Sequence, residues 1–306
     1  MRNVVIIGGG ISSHTAALYT ARASLKPLII SGPELDQLSL TTLVENYPGF
    51  PEGVQGPDLI ANCKKQAQKF GAEYIEGFVD SFKKGNGFYE IGVGKKKYKA
   101  LSVIISTGAS ARRLGIPGED KYFGRGVSTC AVCDAALYKN KVAVVVGGGD
   151  AAMEETLALY KFAKKIYLVH RKEEFRASQI MQDRILKLKG DKLKIVYNTE
   201  VLEVLGDKLV NGVKVKNNKA GKEEIIKTDG LFLAVGHVPN TKPFDGVVEL
   251  DKQGFVKTNG VKTNLPGVFA AGDVQDYIYK QAITSAGTGC MAALEAEWYI
   301  ERVLGK

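Results

Sequence analysis

Two glycine-rich segments, each directly behind a short apolar strand, constrain this chain more than any other feature. Val4–Ile7 runs into Gly8-Gly9-Gly10, and Lys141–Val146 runs into Gly147-Gly148-Gly149. At a strand-to-helix turn the first glycine permits the tight bend. The second lets a pyrophosphate approach the backbone at the helix N-terminus, and a small third residue lets the helix pack on the strand. The two patterns are Gly8-x-Gly10-x-x-Ser13 and Gly147-x-Gly149-x-x-Ala152. Behind the first lies a small-residue helix to about Ala23 and a strand at Pro27–Ile30. Behind the second lies a helix from about Ala151 to Phe162 and a strand at Lys165–Val169. Each set is a β-α-β unit.

A length of 306 residues suggests about two domains. Between and after the two units the chain follows one plan twice. A helix is predicted over Asp58–Phe70, with Pro57 suited to its first turn. Residues 72–105, punctuated by Gly85, Gly87, Gly92 and Gly94, predict a meander of antiparallel strands. A buried strand, Val103–Ser106, then ends in Thr107-Gly108-Ala109. The second half repeats this with a short strand at Ile195–Tyr197, a turn-rich segment at 206–224, and a strand Leu231–Val235 before Gly236-His237. The last third carries a strand Val268–Ala271 and a closing helix from about Thr284 to Val303. The expected fold class is α/β: two Rossmann-like, three-layer ββα nucleotide-binding domains, the second inserted in the first. The expected boundaries are 1–113 and 244–306 for the outer domain and 114–243 for the inserted one.

Between the two fingerprints lies Cys130-Ala131-Val132-Cys133-Asp134. A C-x-x-C pair is either half of a zinc site or a redox pair. No second C-x-x-C exists, and His14, His170 and His237 lie in other motifs, so redox use is the reading and no metal is expected. Thiol exchange needs one accessible sulfur with a lowered pKa and one that hands electrons on. Asp134 is placed to move a proton as a thiolate forms, although a carboxylate there also suits a helix N-cap.

About 20 residues beyond the second fingerprint an NAD site would place an acid for the ribose hydroxyl. This chain has His170-Arg171-Lys172 and then Arg176. Cations at that strand end suit a 2′-phosphate, which favours NADPH over NADH. Gly272-Asp273 behind Val268–Ala271 fits either an ordinary turn or a carboxylate accepting hydrogen bonds from a flavin ribityl chain. Cys63 and Cys290 read as small core residues, His14 as packed in the first helix, His237 as structural, and Trp298 as core or interface.

Composition narrows the class. Hydrophobic residues at 45% and charged residues at 25% are those of a soluble globular protein. No apolar run approaches the roughly 18 residues of a membrane span. Met1-Arg2-Asn3 leads straight into a strand, so no signal peptide is expected, and four cysteines are too few for a disulfide scaffold. A cytoplasmic location follows. The net charge of +9 is spread over lysine-rich faces, such as Lys95-Lys96-Lys97, without the aromatic-interleaved stripe of a nucleic-acid binder.

Taken together, these motifs resemble the low-molecular-weight thioredoxin reductases over essentially the whole chain. The resemblance rests on Thr107-Gly-Ala-Ser110, Cys130-Ala-Val-Cys133-Asp134, Gly147-Gly-Gly-Asp-Ala-Ala152, His170-Arg-Lys172 with Arg176-Ala177, Gly236-His-x-Pro-Asn240, Ala270-Ala-Gly-Asp273 and Gln281–Ala293. It implies FAD in the outer domain, NADPH in the inserted one, a homodimer, and electrons passing from NADPH through FAD and the Cys130–Cys133 disulfide to thioredoxin or a thioredoxin-like protein. Cys133 would face the flavin, Cys130 would exchange with the partner, and Asp134 would act as acid/base. Asn46, Asp273, Lys280, Gln281 and Ala282 would line the flavin, and Arg171, Lys172 and Arg176 would hold the 2′-phosphate. The inserted domain of this family rotates, which gives the crossings near 113 and 244 a role.

The departures lie mostly in the first unit. The third fingerprint residue is Ser13, and the acid usually ending the second strand is Ser31. The family's Gly-Gly-Gln-Leu is Leu35-Asp36-Gln37-Leu38, and its second phosphate-binding arginine is Lys172. Glu34 or Asp36 would then take the adenosine ribose. Two other readings compete: a flavin disulfide reductase fed by another donor such as ferredoxin, and a non-catalytic flavin-binding redox sensor. The intact second fingerprint and the basic cluster oppose the first, and intact Cys130, Cys133 and Asp134 oppose the second.

Overall fold

In the computed structural model residues 1–33, 36–41 and 43–305 are described. β1 (Arg2–Ile7) turns through the first fingerprint into α1 (Ile11–Arg22), and β2 (Leu28–Ser31) returns parallel to it, Ile7 opposite Ile30. A short antiparallel pair, β3 (Leu43–Val44) and β4 (Val54–Gln55), leads into α2 (Gly56–Lys69), which takes Pro57 in its first turn. β5 (Glu73–Glu76) pairs parallel with β2. β6 (Ser81–Lys84), β7 (Tyr89–Val93) and β8 (Lys96–Ile105) then run antiparallel to one another.

The expected meander over 72–105 is therefore corrected at both ends. β5 belongs to the parallel set, and β8 changes partners along its length. Its exposed lysine-rich start pairs antiparallel with β7, while its buried end pairs parallel with β1, Ile104 opposite Ile6. A buried strand with neighbours on both sides needs apolar residues on both faces, which Leu101–Ile105 supplies.

β9 (Ala109–Ala111) leaves this unit, and β10 (Val127–Ser128) and α3 (Ala131–Asp134) follow. β11 (Val142–Val146), α4 (Asp150–Tyr160), β12 (Lys165–Val169), α5 (Gln179–Lys187) and β13 (Leu193–Val196) build the second nucleotide fold. The segment read as turn-rich holds long strands: β14 (Thr199–Gly206), β15 (Val210–Asn217) and β16 (Glu223–Lys227) form an antiparallel sheet. β17 (Gly230–Leu233) completes a parallel sheet of order β10-β17-β11-β12-β13. β18 (His237–Pro239) pairs with β9, β19 (Val268–Ala270) joins β8 in parallel, and α6 (Ala282–Leu304) follows.

Two compact units result: Met1–Ser110 together with residues from Val238 onward, and Ala111–His237. The crossings fall at the β9–β18 pair, slightly earlier than the expected 113 and 244. Backbone bonds continue through it, from Asn240 N–H to Gly108 and from Arg112 N–H to Gly236.

Each unit has three layers. In the first, Ala16, Ala17 and Ala21 of α1 meet Ala292, Ala293, Ala296 and Ile300 of α6 over one face of the sheet, and Phe82, Tyr89 and Phe244 cover the other. In the second, Met153, Leu159 and Ile185 cover one face of the parallel sheet, while Val201, Val204, Val213 and Ile226 of the antiparallel sheet cover the other. Burying each such Val, Ile or Leu contributes about 1.5–3 kcal/mol. Both sheets thus hold their strand C-termini, where the fingerprints lie, on rigid cores.

Candidate active site

Cys130 and Cys133 form a disulfide, with Cα atoms 5.4 Å apart. β10 ends two residues earlier, and α3 begins immediately after Cys130, so the pair sits where strand becomes helix. Cys130 occupies the helix N-cap, and its sulfur accepts the Cys133 N–H at 3.2 Å. A sulfur receiving that N–H is stabilised as a thiolate once the disulfide opens. Both sulfur-bearing residues are half-buried, and Val132 between them is 57% exposed.

The Asp134 carboxyl is pushed above the usual carboxylate range by burial, against a hydrogen bond from Ser128. Its alternative reading as a helix cap does not hold, because it makes no side-chain bond to the turn Ala135–Tyr138 that follows it. Two partners escaped sequence analysis. Ser128 Oγ accepts the Cys130 N–H at 3.0 Å, and Glu155 of α4 accepts the Ala131 N–H at 2.9 Å. Only their spatial neighbours distinguish them from an ordinary strand-end serine and an ordinary helix acid.

The two fingerprints are built alike. A Cβ on Gly8 would lie 2.1 Å from the Ser106 carbonyl oxygen and 2.6 Å from Ser13 Oγ. A Cβ on Gly147 would lie 2.4 Å from the Ala234 carbonyl oxygen and 2.7 Å from Ala152 Cβ. The first glycine of each is thus wedged between a neighbouring strand end and the third fingerprint residue. Ser13 is fully buried, and its hydroxyl donates to the Ser106 carbonyl at 3.3 Å, so a serine is accommodated. The second glycines face open space: a Cβ on Gly10 would meet only Asp36 Cβ, at 3.8 Å, and one on Gly149 would meet nothing within 4 Å. Gly10 and Gly149 are also the N-caps of α1 and α4, with no side chain capping either helix. That combination of room and helix-start N–H groups fits a pyrophosphate.

Of the residues expected near the adenosine ribose, Glu34 lies outside the described residues. Asp36 accepts from the Leu38 and Ser39 N–H groups and the Ser39 hydroxyl, capping the turn that contains exposed Gln37. These use three of the roughly four acceptor positions of a carboxylate.

At the other expected flavin region Asn46 and Gln281 meet, Asn46 donating to Gln281 Oε1 at 3.3 Å. Gln281 caps α6, whose first residue is Ala282, in a reciprocal box with Thr284. Lys280 precedes it with a φ of 48°, its N–H held by Asp276 at 3.2 Å. Burial pushes the Asp273 carboxyl up to about 6, while the Ser285 hydroxyl, 2.9 Å away, pulls it down.

The basic turn after β12 is braced from below. The buried His170 ring accepts no place at the surface; its Nε2 bonds the Glu174 carbonyl at 2.9 Å, and a Cβ on Gly148 would strike the ring at 2.2 Å. Burial holds the His170 pKa below its ordinary value. The Arg176 and Ala177 N–H groups close back on the Gly148 carbonyl, which leaves Arg171, Lys172 and Arg176 exposed around the fingerprint. Asp150, the acid in the first turn of α4, is engaged by the Ser178 N–H and hydroxyl at 2.8 Å each.

The remaining residues are structural. His14 is buried, bonds Tyr74 at 3.0 Å, and has its pKa lowered to about 4 by burial and by Lys64. His237 lies in β18. Cys63 and Cys290 are half-buried, and Trp298, at 51% exposure, is not a core residue. Glu119, which sequence analysis passed over, is buried. It accepts the Leu114, Gly115 and Ile116 N–H groups just beyond the first crossing.

Comparison with known proteins agrees with this architecture. A family model described as pyridine nucleotide-disulphide oxidoreductase matches residues 2–289. A thioredoxin reductase of Streptomyces clavuligerus is 47% identical, over 98% of this chain and 94% of its own. A mitochondrial thioredoxin reductase of Kluyveromyces lactis is 47% identical, over 97% of this chain and 89% of its own. The crystal structure of thioredoxin reductase from Streptococcus pyogenes superposes with a TM-score of 0.93 at 37% identity, covering 99% of both chains.

Proposed function

The chain belongs to the pyridine nucleotide-disulphide oxidoreductases, among the low-molecular-weight thioredoxin reductases, and from that premise we propose that its Cys130–Cys133 pair reduces the disulfide of thioredoxin at the expense of NADPH. The observation that carries this is the disulfide itself, set at a helix start in a unit with its own nucleotide fingerprint. FAD and NADPH, when bound, supply the two electrons that reopen the disulfide.

The chain's own residues account for the rest. Cys130, whose sulfur receives the Cys133 N–H, attacks one sulfur of the partner disulfide. The partner's other sulfur leaves as a thiolate and takes up a proton. Cys133 then attacks Cys130 Sγ, reforming the intramolecular bond and releasing the partner as a dithiol. Asp134, one residue from Cys133, holds or yields the proton that balances each thiolate.

Gly8, Gly10 and Ser13 would seat the FAD pyrophosphate, with Glu34 or the remaining acceptor position of Asp36 taking its ribose. Asp273, with Asn46, Lys280, Gln281 and Ala282 nearby in the same unit, would serve the flavin side. A buried carboxylate with its pKa raised to about 6 is what a site awaiting hydroxyl donors contains. Gly147, Gly149 and Ala152 would seat the NADPH pyrophosphate, with exposed Arg171, Lys172 and Arg176 on its 2′-phosphate and His170 bracing them. A homodimer is the expected assembly, and exposed Tyr19, Met291 and Trp298 on α1 and α6 offer it apolar surface. The expected location is the cytoplasm; no described helix is long and apolar enough to cross a membrane.

The test is the absorption spectrum of the purified protein under anaerobic titration. The proposal expects a flavin spectrum bleached by NADPH. A flavin spectrum that NADPH leaves unchanged would overturn the donor, and a colourless protein that FAD cannot reconstitute would overturn the function.

A further inference from the structure

The tip of the hairpin joining β15 to β16 rests on the basic turn that follows β12. The Asn218 side-chain amide donates to the Arg171 carbonyl at 3.2 Å, and Lys219 Nζ pairs with the Glu173 carboxylate. Asn198, in the turn between β13 and β14, bridges the two. Its N–H donates to the Lys172 carbonyl at 3.0 Å, and its carbonyl accepts the Asn218 N–H at 2.6 Å. Its φ of 51° is left-handed, a conformation that asparagine adopts more readily than most residues. Arg171, Lys172 and Glu173 are therefore each held from outside the turn that carries them.

The hairpin tip is itself fixed. Asn217 Oδ1 accepts the Lys219 and Ala220 N–H groups at 3.1 and 2.8 Å, and the Asn217 carbonyl accepts the Gly221 N–H at 2.8 Å. Gly221 turns the chain at a φ of 67°, where a side chain is strained. Exposed Asn218 and Lys219 thus extend from a defined turn.

Holding the Arg171 and Lys172 carbonyls fixes the backbone from which their side chains extend, and charge-assisted bonds to a phosphate depend on that direction. Glu173 is the acid beside these cations. Unpaired, it would repel a phosphate monoester, largely dianionic near neutral pH, and would suit the free ribose hydroxyl of NADH. Paired with Lys219, its charge is balanced. An exposed ion pair contributes little to folding stability, but this one decides the net charge beside the basic turn.

We propose that the tip of the β15–β16 hairpin is a specificity-determining part of the NADPH site, Asn218 and Asn198 positioning the basic turn and Lys219 neutralising Glu173. The inference rests on the reading of Arg171 and Lys172 as the 2′-phosphate residues. All three supports act through the turn, so they set affinity for the phosphate and leave kcat alone.

The experiment titrates adenosine 2′,5′-bisphosphate, which carries the 2′-phosphate without the nicotinamide, into the full-length FAD-loaded protein in a calorimeter. KM and kcat are measured alongside with NADPH and with NADH. The variants are Asn218→Ala, Lys219→Ala, Lys219→Arg, Lys219→Ala with Glu173→Ala, and Arg171→Ala. Asn218→Ala removes the side-chain bond and keeps the backbone bond to Asn198. It is expected to weaken bisphosphate binding and raise the KM for NADPH by about 2- to 10-fold, with kcat, flavin content and the NADH constants unchanged. Lys219→Ala is expected to do the same by about 2- to 5-fold at low salt, and by less at high ionic strength. Lys219→Arg keeps the charge and is expected to match wild type, and removing Glu173 together with Lys219 is expected to restore affinity. Wild-type bisphosphate affinity in Asn218→Ala or in Lys219→Ala, with affinity lost in Arg171→Ala, overturns the inference alone. Equal losses with NADPH and NADH mark a merely structural role and overturn it as well. Unchanged bisphosphate affinity in Arg171→Ala overturns the reading of the phosphate site and the inference with it.

Discussion

Ser285 of α6 donates a 2.9 Å hydrogen bond to the carboxylate of Asp273, three residues beyond the end of β19, the last strand of the first unit. That bond offsets only part of the cost of burial, and the carboxyl stands at about 6 against an ordinary 3.8. A carboxyl raised on folding contributes stability below its unfolded pKa and loses it as pH rises through the folded value. The FAD-free protein therefore loses on the order of 2–3 kcal/mol between about pH 4 and pH 7 through this group. Asp273→Asn removes the loss, so flavin-free Asp273→Asn should outlast flavin-free wild type in urea at about pH 7.5 and match it near pH 4. The same substitution should weaken FAD retention. A stability difference independent of pH would contradict the assignment.

Ser13 fills a gap that Ala152 fills in the second unit. Replacing it with alanine removes one hydrogen bond to Ser106 and should cost about 1 kcal/mol, with FAD content unchanged. Ser13→Leu forces a larger side chain between Gly8 and the neighbouring strand and should cost about 1–3 kcal/mol more. Denaturant unfolding together with flavin absorbance separates the two outcomes.

Arg171 and Arg176 are exposed cations placed around the second fingerprint by the buried His170. Each charge-assisted bond to a phosphate is worth roughly 1.5–3 kcal/mol. Arg171→Ala and Arg176→Ala should each lower kcat/KM for NADPH by about 10- to 100-fold and leave that for NADH nearly unchanged. Lys172→Arg, by adding a planar fork, should raise the preference for NADPH. Parallel initial-rate measurements with both nucleotides decide it.

Glu119 holds three backbone N–H groups at Leu114–Ile116, with the Arg113 guanidinium 3.7 Å away and stacked 3.6 Å over Phe123. Glu119→Ala leaves those donors without their acceptor and should destabilise the protein by about 2–4 kcal/mol. Glu119→Gln, which keeps one oxygen, should cost less. Thermal unfolding of the two variants tests the order.

The strands, turns and helices of both nucleotide folds were legible in sequence because each is local: an apolar run, a glycine turn, a small-residue helix. β8 was not, since one continuous strand can be lysine-rich where it pairs with β7 and apolar where it joins the parallel sheet. β14–β16 were obscured by the glycines and asparagines that punctuate them. At the site, Cys130, Cys133 and the fingerprints announce themselves by spacing. Glu155 does not, because only folding brings it to the Ala131 N–H. Ser128 and Glu119 do not, because nothing in their spacing marks a serine or glutamate that will bond N–H groups two to five residues away.

The central claim is that Cys130 and Cys133 carry NADPH electrons to thioredoxin. Its most direct measurement is NADPH oxidation at 340 nm with excess oxidised thioredoxin, in the wild type, Cys130→Ser and Cys133→Ser, each loaded with FAD. The account predicts turnover in the wild type and loss of thioredoxin reduction in both variants. Thioredoxin reduction that persists in either variant would contradict it.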